Sequence, residues 1–322
     1  MKAIRFHQPG KPEDVLKLEE IAEPAPSPTQ VLIKVKASPV NPSDILFIQG
    51  NYRRKPIYPQ IAGLEGSGII AECGKAVTSF KMGDFVAFRA PGTWSKYCLA
   101  EESSLIPINR SLPFAISSQV GLNPMTAIGL LSEAPLEKGD FLLLDTASST
   151  VSGIAIQLAV AKGIRVLALV RDPRPIPELT SLGVETSFLQ DDPDLVHKIQ
   201  AVTAQKGIQA FFDAIGGKLL EEVIPLMAQY ATIVCYGNLS NEKAGISNGS
   251  LVYRNLTLKG FGIDRWLSLH TPEQIRKCYA DIVEDLYEKR VVLREIPSVN
   301  LEELIPYLHQ QGHSNKIIIT NG

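Results

Sequence analysis

The stretch Thr146-Ala147-Ser148-Ser149-Thr150-Val151-Ser152-Gly153 consists almost wholly of small residues, and it joins the apolar run Phe141-Leu142-Leu143-Leu144-Asp145 to the apolar segment Ile154-Ala155-Ile156-Gln157-Leu158-Ala159-Val160-Ala161. A strand, a tight turn and an apolar helix in this order aim backbone N–H groups and the positive end of a helix dipole at one point, which suits a diphosphate. Dinucleotide sites place glycines in such a turn so that the backbone can approach the phosphates. Here Thr150 and Ser152 stand where glycines are expected and Gly153 remains. Their hydroxyls can donate to a phosphate, their Cβ atoms take up room, and Ser or Thr at this place equally serves as an ordinary helix N-cap. After the next apolar run, Val166-Leu167-Ala168-Leu169-Val170, comes Arg171-Asp172-Pro173-Arg174, about twenty residues beyond the turn, where an adenosine ribose would lie. An acidic residue directly at that strand end would accept from a free 2′-hydroxyl, whereas guanidinium groups match a 2′-phosphate. Arg171 and Arg174 therefore favour NADP over NAD, with Asp172 able to pair with either arginine.

These groups need a scaffold, and the periodicity of apolar residues supplies one. Strands are expected at 141–145, 166–170, 210–213, 232–236 and 256–259, with a weaker one at 186–189, alternating with helical stretches. Six strands in that alternation make a doubly wound parallel sheet of Rossmann size. The first third reads differently. Met1-Lys2-Ala3-Ile4-Arg5-Phe6, the alternating Val31-Leu32-Ile33-Lys34-Val35-Lys36, Gly68-Ile69-Ile70-Ala71-Glu72 and Asp84-Phe85-Val86-Ala87-Phe88 are short strands punctuated by Gly and Pro, a barrel-like texture. The change falls near Ala115. A long amphipathic helix is expected over 272–289, and the closing run Lys316-Ile317-Ile318-Ile319-Thr320 has no slot in a six-stranded sheet, so it is expected to return to the first domain. The fold class is thus α/β, with domains at 1–114 plus 265–322 and at 115–264.

Bulk properties bound the function. A chain of 322 residues is long enough for two cores. With 32 basic against 34 acidic residues and a net charge of −2, it lacks the clustered positive charge that nucleic acid demands. Cys73, Cys98, Cys235 and Cys278 are far apart and form no CxxC pair, which argues against a disulfide framework or a cysteine-rich zinc site. None of His7, His197, His270, His309 and His313 stands in a ligand-spaced cluster. No apolar run reaches the ~18 residues of a membrane span, and no signal or transit pattern opens the chain, so a cytoplasmic protein, or one already processed, is expected.

Several segments together carry a resemblance. Asn41-Pro42-Ser43-Asp44, Gln49-Gly50-Asn51-Tyr52, Gly63-Leu64-Glu65-Gly66-Ser67-Gly68, Lys81-Met82-Gly83-Asp84 and Gly92-Thr93-Trp94 resemble the zinc-free medium-chain dehydrogenase/reductases, and more narrowly are similar to the 2-enoyl thioester reductases. Asn123-Pro124-Met125-Thr126-Ala127, Arg171-Asp172, Gly216-Gly217, Tyr236-Gly237, Gly260-Phe261 with Trp266, and Lys316 extend the match over essentially the whole chain. Quinone reductases of the same superfamily share the Asn-Pro-Ser-Asp and Gly-rich parts, while Gln-Gly-Asn-Tyr and Gly-Thr-Trp point to the enoyl branch. The resemblance implies a GroES-like, β-barrel-type domain with a Rossmann domain inserted, NADPH as cofactor, and a substrate cleft where the two domains meet. It also implies no metal. Zinc alcohol dehydrogenases of the superfamily carry cysteine where Asn41 stands and histidine where Leu64 stands, and neither replacement is an ordinary zinc ligand.

The same resemblance assigns roles. Tyr52 is the implied acid, since a phenol ordinarily titrates near ~10 and holds its proton at neutral pH. Arg53 and Arg54, directly after it, would bind an anionic substrate portion such as a CoA phosphate or simply be solvated. Asn41, Asn123 and Thr126 are implied cofactor contacts, with Asn123 facing the nicotinamide. Ser148, Ser149, Thr150 and Val151 fall to the pyrophosphate, and Arg171, Asp172 and Arg174 to the adenosine ribose. Tyr236, Gly237 and Asn238 with Phe261, Gly262 and Ile263 fall to the nicotinamide half, and Lys316 to the cofactor or the substrate edge. Trp94 and Trp266 would line an acyl pocket or be plain core residues. The implied reaction is reduction of the carbon–carbon double bond of a 2-enoyl thioester. A quinone or enone reductase, and a non-catalytic module whose dinucleotide site Thr150 and Ser152 have weakened, stay open as alternatives. The partners expected are a small-molecule acyl thioester, enone or quinone and a second copy of the chain, paired through the apolar stretch 251–258.

Overall fold

The structure, a computed structural model, describes residues 1–311 and 316–321, so that His313 lies outside the described residues. Contacts divide the chain into a unit of Met1–Leu122 with Arg276–Gly322 and a unit of Asn123–Ile275. Residues 115–122 thus group with the first unit and 265–275 with the second. The local reasons are visible: the Ser67 hydroxyl donates to the Phe114 carbonyl and Phe85 stacks on Phe114, while Trp266 donates to Ser132.

The Asn123–Ile275 unit holds a six-stranded parallel sheet in the order Thr186–Leu189, Arg165–Val170, Phe141–Leu144, Ile208–Asp213, Met227–Cys235, Thr257–Gly260. This is the doubly wound order, and it reverses between the strands beginning at Phe141 and Ile208, where ligands bind at the carboxyl ends. Leu142, Leu143, Leu167, Leu169, Phe211 and Ile233 are fully buried, as continuous apolar strands covered on both faces require. Met227–Cys235 is longer than the expected 232–236 because its first half carries exposed Gln229 and Tyr230, the latter at φ +60°, which hides it from an apolar-run reading. Helix Thr150–Ala161 starts on Ser149 and stops before Gly163 at φ +75°. The outer strand Thr257–Gly260 and the preceding helix Asn248–Arg254 display Val252, Tyr253 and Leu258, on the surface where the expected contact between copies would fall.

The other unit is built on antiparallel strands around Gln30–Pro39, which pairs with Glu65–Cys73 and with Tyr97–Glu101. The final strand Ile318–Thr320 pairs antiparallel with Gln30–Pro39 and parallel with Ser298–Asn300, so the chain end does return to this barrel. Its core includes Phe6, Phe47, Ile48, Trp94, Leu304 and Ile319. Trp94 is fully buried, donates to the Pro39 carbonyl at 3.3 Å and fills the space where a Cβ on Gly63 would stand, at 2.3 Å. It is a core residue in this unit. Among the described residues no helix is long and apolar enough to cross a membrane.

Candidate functional site

In the Rossmann unit, the candidate cofactor residues Ser148 to Val151 and Tyr236 to Asn238 follow the carboxyl ends of the strands Phe141–Leu144 and Met227–Cys235. Ser149 is the helix N-cap: its hydroxyl accepts from the Ser152 N–H at 3.1 Å, satisfying one of the first-turn donors. Ser152 is fully buried, and its hydroxyl lies within 3.0 Å of Ser149 Oγ and 3.4 Å of the Tyr236 hydroxyl, close to the Asp145 carbonyl. Its bulk therefore fills the interior beneath the turn. Ser148 is exposed, Thr150 and Val151 are half-buried, and Thr146 adopts φ +42°, a left-handed conformation unusual outside glycine. The turn offers a diphosphate the head of a helix of regular length, and of the two residues standing where glycines are expected, Ser152 is turned inward while Thr150 stays half-buried at the first helical position.

Acidic residues that the motif analysis passed over anchor these loops. Asp145 and Asp213 close their strands and are essentially unexposed. Asp145 accepts from the N–H groups of Ala214 and Ile215 at 2.9 to 3.0 Å, and Asp213 accepts from Gly216 at 2.7 Å. Burial, with the neighbouring Asp213 carboxyl, raises the Asp145 pKa to about 8. The only sequence signal was an acidic residue ending each apolar strand. Tyr236 follows the Met227–Cys235 strand; its hydroxyl meets Thr146 and Ser152, and burial raises its pKa. Gly237 and Asn238 are exposed, and a Cβ on Gly237 would lie 2.5 Å from the Ala214 carbonyl.

The remaining assignments in this unit separate. Arg174 binds both carboxylate oxygens of Asp172 at 2.9 Å, which holds the Asp172 carboxyl down at about 2, while Arg171 is exposed beside them. Asn123, first in helix Asn123–Glu133, is buried with Nδ2 lacking a partner, and Thr126 is half-buried one turn later. Phe261 and Gly262 are half-buried and Ile263 is buried, with the Phe261 ring against Gly129. Trp266 is 5% exposed, donates to Ser132 at 2.9 Å and stacks on His270 at 4.0 Å.

In the barrel unit, Asn41 caps the short helix Pro42–Ile48, and its Nδ2 donates to Glu65 Oε1 at 2.6 Å. Lys316 donates to Gln119 Oε1 at 3.0 Å and faces the Glu65 and Asp44 carboxyls. Burial lowers the Lys316 pKa to about 8, and burial raises that of Asp44 to about 8 and pushes Glu65 up as well. This buried cluster of Asn41, Asp44, Glu65, Gln119 and Lys316 was visible in sequence only as scattered pieces. Tyr52 follows helix Pro42–Ile48, its N–H donating to the Leu46 carbonyl. Its ring packs against the barrel core, its hydroxyl accepts from Arg53 Nη2 at 3.1 Å, and the Arg53 guanidinium lies 5.2 Å from the ring centre.

Comparison with known proteins agrees with this architecture. The family model described as alcohol dehydrogenase GroES-like domain matches residues 27–132, and that described as zinc-binding dehydrogenase matches residues 150–280. The mitochondrial enoyl-acyl-carrier-protein reductase of Homo sapiens is 30% identical over 287 residues, which are 86% of this chain and 76% of that protein. The chain belongs to the zinc-free medium-chain dehydrogenase/reductases. The corresponding enzyme of Arabidopsis thaliana is 31% identical over 284 residues, again 86% of this chain and 76% of the relative. Two solved structures share the fold end to end. Escherichia coli quinone oxidoreductase complexed with NADPH gives a TM-score of 0.89 at 20% identity, covering 100% of both chains. A mutant enoyl thioester reductase from Candida tropicalis gives 0.86 at 22% identity, covering 99% of each. As a medium-chain reductase, the protein is an oxidoreductase.

The zinc in one family description does not fit this chain. At the positions the superfamily uses for catalytic zinc stand Asn41, whose amide is spent on Glu65, and aliphatic Leu64. Among the described residues no group of three or more His, Cys, Asp or Glu side chains could hold a metal ion.

Proposed function

We propose that this protein is an NADPH-dependent reductase of the carbon–carbon double bond of 2-enoyl thioesters, working without zinc. The observation that carries the reading is the identity of 30 to 31% with enoyl-acyl-carrier-protein reductases along most of the chain, joined to a tyrosine whose oxygen accepts from Arg53. Because the Tyr52 oxygen accepts from Arg53, its O–H points elsewhere and is available to protonate the substrate α-carbon. NADPH, when bound, would supply the hydride for the β-carbon. Asn123 orients the nicotinamide half, Ser148 to Val151 hold the diphosphate on the helix head, and Arg171 meets the 2′-phosphate. Lys316, a cation inside the barrel unit, adds positive charge for an anionic ligand. Small acyl thioesters are the substrates, and two copies pair through the outer Thr257–Gly260 strand.

NADPH oxidation with crotonyl-CoA, set beside oxidation with a simple quinone, tests the assignment. Turnover of the thioester alone supports it. Activity with the quinone only would transfer the protein to the quinone reductase reading, which the likeness to the Escherichia coli enzyme favours through its fold. Tyr52→Phe is expected to keep NADPH affinity and lose about a hundredfold or more of thioester turnover; undiminished turnover would remove Tyr52 as the acid.

A further inference from the structure

Asp145 and Asp213 are two buried carboxyl groups at the ends of neighbouring strands, and neither contributes to the chemistry described above. Their exposures are 0% and 1%, and they close neighbouring strands and accept from the consecutive N–H groups of Ile215 and Gly216 at 3.0 and 2.7 Å, which sets the two carboxyls side by side. Two carboxylates so placed cannot both be ionised without a severe penalty. Each also ties down a loop. Asp145 holds the N–H groups of Ala214 and Ile215, Asp213 holds that of Gly216, and Thr146 donates to Asp145 at 3.3 Å. Thr146 in turn meets the Tyr236 hydroxyl, and Tyr236 donates its N–H to the Asp213 carbonyl at 2.8 Å. The segments following all three central strands are thereby joined through one carboxyl pair.

We infer that Asp145 and Asp213 share a single proton and act as positioning residues for the dinucleotide site, a proton-held latch that keeps the 146–152 turn in register with the 214–216 loop. Neither carboxyl touches the ligand; each acts through the backbone it holds. This rests on the reading of the turn as the diphosphate site. The other titratable groups facing the pair are Tyr236, raised by burial, and Cys235, pushed up to about 12. Both stay protonated through the range in which the latch, with Asp145 near 8, would open.

Asp145→Asn tests the shared proton in the intact chain, since its carboxamide accepts from Ala214 and donates to Asp213 as a protonated carboxyl does. Wild type must keep a proton in the folded state that its unfolded chain loses above the usual carboxylate range. The ratio of unfolding constants, wild type over Asp145→Asn, is therefore expected to climb about tenfold per pH unit between pH ~5 and ~7.5. Asp213→Asn mirrors the test should the first variant fail to fold. A flat ratio in a variant that folds overturns the latch. For the positioning role, wild-type NADPH affinity is expected to fall about tenfold from pH ~7 to ~9 as the pair ionises, and that of Asp145→Asn to escape this fall. Lys316, which also titrates near 8, is common to both proteins and drops out of the comparison. Equal falls in both overturn the positioning role. Wild type that never binds NADPH, with the ratio still climbing, would instead sink the cofactor reading and the positioning role with it, leaving only the shared proton.

Discussion

Gly129→Ala sets two known effects against each other at the cofactor side of the Rossmann unit. In the middle of helix Asn123–Glu133, alanine gains about 1 kcal/mol over glycine from helix propensity alone. The added Cβ, however, would stand 2.5 Å and 2.8 Å from two atoms of the Phe261 ring and 3.3 Å from Trp266 Cδ2. Carbon atoms rest at about 3.5 to 4.0 Å, so the ring must retreat by roughly 1 Å. Trp266 has little room to share the strain, being hydrogen-bonded to Ser132 and stacked on His270, and the Phe261 backbone is tied to the Cys235 carbonyl at 2.8 Å. Overpacking of this kind costs about 1 to 3 kcal/mol, which outweighs the propensity gain. The variant should be about 1 kcal/mol less stable in a urea titration. If Phe261–Ile263 orients the nicotinamide half, its NADPH-dependent turnover should fall about a hundredfold, the usual consequence of a 1 Å displacement at a reacting centre. A variant more stable than wild type with unchanged turnover would refute both the packing argument and the assignment of Phe261.

Two further perturbations probe charge. Arg171→Ala should cut the preference for NADPH over NADH by about tenfold or more, measured as the ratio of kcat/KM values; an unaltered ratio would move 2′-phosphate recognition away from this strand end. Asp44, raised to about 8 by burial beside Glu65, holds a proton in the folded protein that the unfolded chain releases above its ordinary range. Stability is therefore fully present at acid pH and is lost as pH rises towards 8. Asp44→Asn should remove about 1.4 kcal/mol per pH unit of that slope between pH ~5 and ~7.5 in chemical denaturation, and an unchanged slope would mean Asp44 is ionised in the fold.

The parallel sheet was legible because each of its central strands is a short unbroken apolar run, and the return of 318–320 to the barrel followed from counting the strands a Rossmann sheet can hold. The small-residue turn at 146–153 was legible as a composition, but whether Ser152 fills it depends on a side-chain direction that no periodicity encodes. The structure turns that hydroxyl inward to Ser149 and Tyr236. Arg171 and Arg174 read alike in sequence, yet Asp172 engages Arg174 on both oxygens, a choice fixed by loop geometry. Least legible were the buried charge clusters, because Asp44, Glu65 and Lys316 come from segments remote in sequence and Asp145 meets Asp213 only across neighbouring strands.

The account turns on whether the head of helix Thr150–Ala161, with its inward-facing serine, receives a phosphorylated dinucleotide. Titrating the protein with NADPH while following the reduced nicotinamide fluorescence measures this directly. Saturable binding with a Kd in the micromolar range, weakened by Arg171→Ala, is the expected result. No change in fluorescence up to millimolar NADPH would contradict it and leave the protein with the fold of a reductase but not its cofactor site.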